Sequence, residues 1–351
     1  TPRGVFGSDA PYVDFNNDKV PEMAIGRLPA LTAEELQGLV DKLVAYETGP
    51  AAAWQRAFVL GADSTDKGGD FTASSEEVAG LLPAEWTPEK IYVSQLGAAL
   101  ARSNLLAKVN AGAAFLNFFG HAGLSSLGMQ GLLNTADVGS LANSNKLPIV
   151  TALTCVIGRF ELSGYDCLGE ALLMKTNGGA CAVWAPSGLS LNQPSETLAV
   201  GFYRAMFEGG KTVLGEGILD AKAAFVLNSQ MTYLLDIYNL LGDPAMAVAG
   251  TTASYGAGGA NGLGGSITAT GSVWGAGGNT TFTITPNPHY HVTDVMVDGA
   301  SVGATSGWTF VNVTNAGHTI GATYGVDQYD LTVTSLYGAP APVGTTRSDW
   351  N

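Results

Sequence analysis

The chain is poor in sulfur, in imidazole and in charge. Its 351 residues include three cysteines and four histidines, and only 13% are charged. Three cysteines cannot build a disulfide framework, and an odd count leaves at least one thiol free. Of the two signs of charge, the positive is the scarcer. Sixteen Lys and Arg stand against 30 Asp and Glu, for a net charge of −14. That balance excludes nucleic acid and anionic membrane surfaces as partners. No apolar run is long or clean enough for a transmembrane segment, and no signal peptide is legible. The opening, TPRGVFGSDAPYVDF, reads as the start of a piece processed from a longer precursor.

Apolar residues and glycine are plentiful. A hydrophobic content of 46% with so little charge describes a globular chain. The length accommodates a large core and a second domain. Three apolar, β-branched runs organise the first part: RAFVLGAD (56–63), AGAAFLNFFGHAG (111–123) and KLPIVTALTCVIG (146–158). Each reads as a buried strand, with Asp63, His121 and Cys155 at the carboxyl ends. Open α/β sheets bind ligands outside those ends. Strands at 56–62, 113–119 and 147–154, if parallel neighbours, bring the three side chains to one edge. A free Cys in an apolar strand is ordinarily a small buried hydrophobe, which suits Cys181. Joint placement, with flanking glycines, marks Cys155 and His121 as a candidate nucleophilic pair.

Around these runs the pattern alternates strand and helix over residues 1–249, specifying an α/β domain with a mostly parallel sheet covered on both faces. Thr32 and Glu35 form a capping box that opens the helix AEELQGLVDKLVAYE. Further helices are predicted near 75–82, 98–110, 167–176, 194–210 and 213–228, with strands at 90–96 and 179–187 and a turn and short strand over 238–248. Composition then shifts. Residues 250–265 are a Gly-rich linker. Residues 266–326 read as a small all-β module, with a hairpin turn at Asp298-Gly299. Residues 327–351 read as a tail opening a further β repeat. His289, His291 and His318 lie in the module without thiols or obvious carboxylates beside them, so a metal site is not expected there.

Near the N-terminus, Asp14, Asn16, Asp18 and Glu22 occupy positions 1, 3, 5 and 9 of a loop, with the Val20 carbonyl at position 7. Alternating oxygen donors can wrap a structural calcium ion. An Asx-rich surface turn explains the same residues.

Four segments in order, PEMAIGRLPALTAEEL, NFFGHAG, ALTCVIGRF and YNLLGDPAM, resemble the gingipain family of cysteine peptidases, relatives of the caspase and legumain proteases. The resemblance covers roughly residues 7–249 and implies a caspase-like three-layer α/β/α fold. It implies a cysteine endopeptidase in which Cys155 is the nucleophile, His121 the proton carrier and Asp63 the acid supporting the imidazole. The reaction would pass through a thioester, with the backbone N–H groups of Ala122 and Cys155 meeting the oxyanion. No metal or organic cofactor takes part in that chemistry. The substrate is a protein or peptide, and a basic residue before the cut would need an acid in the pocket. Asp70, with Asp66 behind it, is the candidate, although both also read as solvated loop acids. AVWAPSGLSLN supplies the other wall, including Trp184 and Ser187, because Trp184 to Ser190 leave the adjacent strand at the same edge. The 266–326 module looks like bacterial surface repeats related to the internalin B-repeat. It implies a secreted or cell-surface bacterial protein, with cell-surface association through the module. A catalytically silent adhesion or scaffold protein is the alternative.

Overall fold

The computed structural model describes residues 5–229, 231–251, 265–270, 278–313 and 320–327. The predicted linker and the tail after Asp327 therefore lie almost wholly outside the described residues, as does His318. The chain divides into two units, Thr1–Thr251 and Thr252–Asn351.

In the first unit, helix α1 (Ala33–Glu47) starts at the predicted capping box, with the Thr32 side chain accepting the Glu35 N–H. Strand β1 (Ala57–Ala62), α2 (Phe71–Ala79) and β2 (Thr87–Tyr92) follow. A helical turn α3 (Val93–Leu96) and α4 (Ala98–Ala111) lead into β3 (Phe115–Phe119). Three two-residue strands come next: β4 (Ala122–Gly123), β5 (Ser126–Leu127) and β6 (Leu133–Asn134). Then come α5 (Thr135–Val138), β7 (Ile149–Leu153), α6 (Leu168–Met174), β8 (Ala182–Pro186), α7 (Asn192–Phe207), α8 (Leu214–Asn228), α9 (Tyr233–Ile237) and β9 (Tyr238–Leu241). The strand predicted over 90–96 ends at Tyr92 and turns helical. The helix predicted near 75 starts at Phe71, because the Asp70 carboxylate caps it by accepting the Ala73 N–H.

The main sheet runs β2-β1-β3-β7-β8-β9. Its first five strands are parallel and β9 closes the edge antiparallel. β1, β3 and β7 are adjacent, with Ala62 paired to Phe119 and Phe119 to Leu153, so their carboxyl ends are level. Strands covered on both faces need apolar side chains throughout, and β3, β7 and β8 are buried along their whole lengths. Helix α2 packs on α7 and α7 on α8, while α6 packs on α1 and α5. The largest aromatic cluster joins Phe58, Trp86, Phe115, Phe202, Tyr203 and Phe207. One polar rung crosses it: Asn117 Nδ2 donates to Thr151 Oγ1 at 3.0 Å, and Thr151 meets Tyr203 Oη at 2.5 Å.

The second unit is all-β where described. Strands β10 (Gly265–Thr270), β11 (Gly278–Pro286) and β14 (Gly307–Val313) form one antiparallel sheet. Strands β12 (Tyr290–Val297), β13 (Ala300–Ser301) and β15 (Ile320–Val326) form another. Asp298 and Gly299 join β12 to β13 with φ of 51° and 78°, the doubly positive backbone that a two-residue hairpin turn requires. The core is small: Phe282, Ile284, Val295, Val297, Phe310 and Ile320. His291 Nδ1 lies 2.8 Å from Asp327 Oδ1.

Candidate active site

Three adjacent parallel strands deliver Asp63, His121 and Cys155 to the same edge, each within two residues of a strand's end. Cys155 and His121 line one cavity of about 340 Å³.

Cys155 is held by the loop that leaves β8. The Ser190 N–H donates to Sγ at 3.3 Å, and Sγ donates to the Ser190 carbonyl at 3.7 Å. Burial pushes the thiol above its ordinary value, and the Ser190 N–H opposes that shift. Ser190 is itself braced: its Oγ lies 2.5 Å from Ser195 Oγ and 3.1 Å from Tyr238 Oη. The residue after the thiol, Val156, has φ of 45°, a strained value for a β-branched residue. Flanking backbone bonds fix that turn: Val156 N–H to Gly188 O at 3.1 Å and Gly158 N–H to Pro186 O at 3.0 Å.

His121 has two acidic neighbours with separate tasks. The sequence expectation put Asp63 on the imidazole. Instead, Asp63 Oδ2 accepts the His121 backbone N–H at 2.9 Å and the Met129 N–H at 3.3 Å. Asp63 is 2% exposed, and burial raises its pKa against those two donors. Gly120, with φ of 156°, permits the approach: a Cβ there would lie 2.6 Å from Asp63 Oδ2. The ring belongs to Asp66, whose Oδ2 is 2.9 Å from His121 Nε2. The Gly68 N–H, then the imidazole, hold the Asp66 carboxyl below its usual range. Phe71 packs edge-on against the imidazole, with ring centroids 5.2 Å apart.

The pocket expectations are met unevenly. Asp70 and Asp66 do not line the cavity. Asp70 Oδ1 accepts the Ala73 N–H at 3.1 Å and the Thr65 hydroxyl at 2.9 Å. Trp184 is fully buried and turns into the core against Phe202 and Tyr238. Ser187 Oγ donates to the Gly7 carbonyl at 2.5 Å, tying the N-terminal segment to the sheet. The wall is built one turn farther on, by Leu189 to Asn192 and by Ser195. Ala122, the expected oxyanion donor, opens β4 and pairs with Leu127.

At the N-terminal loop, carboxylate oxygens of Asp14, Asp18 and Glu22 come within 4.8 Å of one another, a donor set suited to a hard cation. Lys19, at the position of the turn glycine, has φ of 77°. The loop also satisfies itself: Asp14 accepts the Asp18 and Lys19 N–H groups, Asn16 Oδ1 accepts that of Asp18, and Asp18 Oδ1 that of Val20.

The model of peptidase family C25 matches residues 2–249. Gingipain R2 of Porphyromonas gingivalis is 28% identical over 170 residues, which span 46% of this chain and 23% of that protein. Gingipain R1 of the same species is also 28% identical over 170 residues, spanning 17% of its length. The match thus takes in less than a quarter of either relative. The crystal structure of the Arg-specific cysteine proteinase gingipain R superposes with a TM-score of 0.62 at 19% identity, over 92% of this chain and 81% of that one. The complex of RgpB pro- and mature domains gives a TM-score of 0.62 at 20% identity, over 90% of this chain and 76% of that one. These likenesses show the caspase-like fold. With the family match over most of its length, the chain belongs to peptidase family C25, the gingipain-type cysteine peptidases.

Proposed function

We propose that this chain is a cysteine endopeptidase whose working pair is Cys155 and His121. The observation that carries the proposal is their convergence: two neighbouring strands, β7 and β3, present a thiol and an imidazole to one cavity. The Cys155 sulfur attacks the scissile carbonyl and its proton passes to His121, which returns it to the leaving amine. The resulting thioester is hydrolysed by water. Asp66 orients the imidazole, and Asp63 fixes the backbone that carries it. The N–H groups of Cys155 and Ala122 face the oxyanion. The substrate is a protein or peptide. Among the described residues no helix is long and apolar enough to cross a membrane. The second unit is proposed as a repeat that places the enzyme outside the cell or on its surface, on the strength of its sequence resemblance.

Replacing Cys155 by Ala tests the reading: peptide cleavage should be lost, and cleavage that survives unchanged removes Cys155 as nucleophile. A peptidyl chloromethyl ketone separates enzyme from silent scaffold. Labelling at Cys155 that disappears in His121→Ala supports the enzyme, and no labelling across a peptide library supports the scaffold.

A further inference from the structure

The cavity beside Cys155 is walled by apolar and uncharged side chains. Phe71, Leu153, Leu189 and Leu191 make its apolar surface, and Thr154 and Asn192 are among its polar members. Among the described residues no carboxylate lines it.

The neighbouring acids are committed elsewhere. Asp70 caps α2, and the next residue, Phe71, is the one that reaches the cavity, 3% exposed. Asp66 serves the imidazole with one oxygen and accepts the Gly68 N–H at 2.6 Å with the other. Glu196 stands behind two hydrogen bonds. Ser74 Oγ donates to its Oε2 at 2.5 Å and accepts Asn192 Nδ2 at 2.8 Å. That relay fixes the Asn192 amide, with Nδ2 turned to Ser74 and Oδ1 left over. Asn192 Oδ1 and Thr154 Oγ1 are buried without a hydrogen-bond partner. The lining is therefore hydrocarbon and neutral polar residues, with no carboxylate among them to pair a cation.

We infer that this cavity takes an uncharged side chain on the amino side of the cut (P1), so that the chain cleaves after neutral residues in preference to Arg or Lys. The inference rests on the endopeptidase reading of the same site. A guanidinium or ammonium entering the cavity would lose water and gain no counter-charge, the costly half of a buried ion pair. Specificity here follows from Asn192 and Phe71, residues that reach the cavity where an acid would be needed for a basic P1.

The test is a fluorogenic peptide series differing only at P1, with Leu, Met, Gln, Asn, Arg, Lys, Asp and Glu, assayed on wild type, Cys155→Ala and Asn192→Asp. For wild type, kcat/KM for the best neutral P1 should exceed that for Arg and Lys by at least about 10-fold. Asn192→Asp is at the first position of α7, where a carboxylate suits a helix. It should raise kcat/KM for Arg relative to Gln by about 10-fold or more. Wild-type preference for a charged P1, lost in Cys155→Ala, overturns the inference and leaves the endopeptidase standing. No relative gain for Arg in Asn192→Asp removes Asn192 from the P1 pocket and overturns the assignment. Hydrolysis that is absent in wild type, or unchanged in Cys155→Ala, overturns the endopeptidase reading itself.

Discussion

The two edges of the main sheet treat the same side chain in opposite ways. Cys155 follows β7 at the carboxyl edge, and Cys181 precedes the neighbouring β8 at the amino edge. Burial raises both thiols, Cys181 to about 12. What differs is access. Cys181 is fully buried, with Sγ 3.5 Å from the Leu147 carbonyl. Its surroundings are sealed by the end of α6, where Lys42 Nζ donates to the Leu173 and Lys175 carbonyls at 2.8 and 3.0 Å. Cys155 opens to a cavity and faces an N–H donor and an imidazole wall. A parallel sheet produces this asymmetry because the loops at its carboxyl edge diverge around a crevice. Being a cysteine in a strand says little. Being at one end of the strand says most of it.

The contrast can be broken most sharply by native-state thiol labelling. A small alkylating reagent should modify Cys155 at least about 10³-fold faster than Cys181 or Cys167, which need global opening to react. Comparable rates would erase the distinction between the edges. In the free protein the Cys155 rate should rise through a midpoint above that of an ordinary cysteine, because burial disfavours the thiolate. A midpoint near pH 6 would mean that an imidazolium already faces the sulfur at rest.

The acids at the carboxyl edge should separate next. Asp63→Ala leaves the His121 and Met129 N–H groups without their acceptor and should cost roughly 1–3 kcal/mol of stability, together with most activity. Asp66→Asn keeps the fold and should lower kcat/KM by less than about 10-fold, since an exposed ion pair is worth little. Equal melting temperatures for the two variants would contradict the division of labour.

The amino edge should report through pH. Burial lowers Lys42 to about 8. Between about pH 8 and its ordinary value the unfolded chain therefore binds more protons than the folded one, and stability rises with pH across that window. Lys42→Met should remove a rise on the order of 2–3 kcal/mol, read as a flatter plot of unfolding free energy against pH. An unchanged slope would place the charge of Lys42 in solvent. The smallest effect belongs to the N-terminal loop. Calcium held by Asp14, Asp18 and Glu22 would raise the melting temperature, so a chelator should lower it by about 2–4 °C. Superimposable melting curves would leave the loop as a self-satisfied Asx turn.

The sequence made the scaffold legible through continuous apolar runs. FVLGA, FLNFF and IVTAL could be buried only between two helical layers, and that fixed which edge Asp63, His121 and Cys155 share. The same continuity hid the pocket wall. With every residue of β8 apolar, no alternation showed that Trp184 turns into the core. The partner of the imidazole was equally hidden. Asp63 and Asp66 are three residues apart, and the choice between them depends on a turn in which Asp66 and Gly69 bridge each other's backbones. Asp70 was hidden for a related reason: Ala73, at the third helical position, supplies no side chain to complete a capping box, so only the backbone shows the cap.

The closure of that turn has a consequence for how such a protein changes over generations. Residues 63–70 begin on a strand end, bridge back on themselves at Asp66 and Gly69, and finish as a helix cap. The segment's other anchors reach the next strand: the Asp63 N–H donates to the Phe119 carbonyl at the end of β3, the Asp63 carboxylate accepts the His121 N–H, and Asp66 holds the imidazole. Exchange in this stretch therefore acts first on the scaffold and the imidazole, because Asp63, Asp66 and Asp70 hold the His121 backbone, the His121 ring and the cap of α2. The loop behaves as a splint across the sheet's edge, and the three positions it can least spare are Asp63, Asp66 and Asp70.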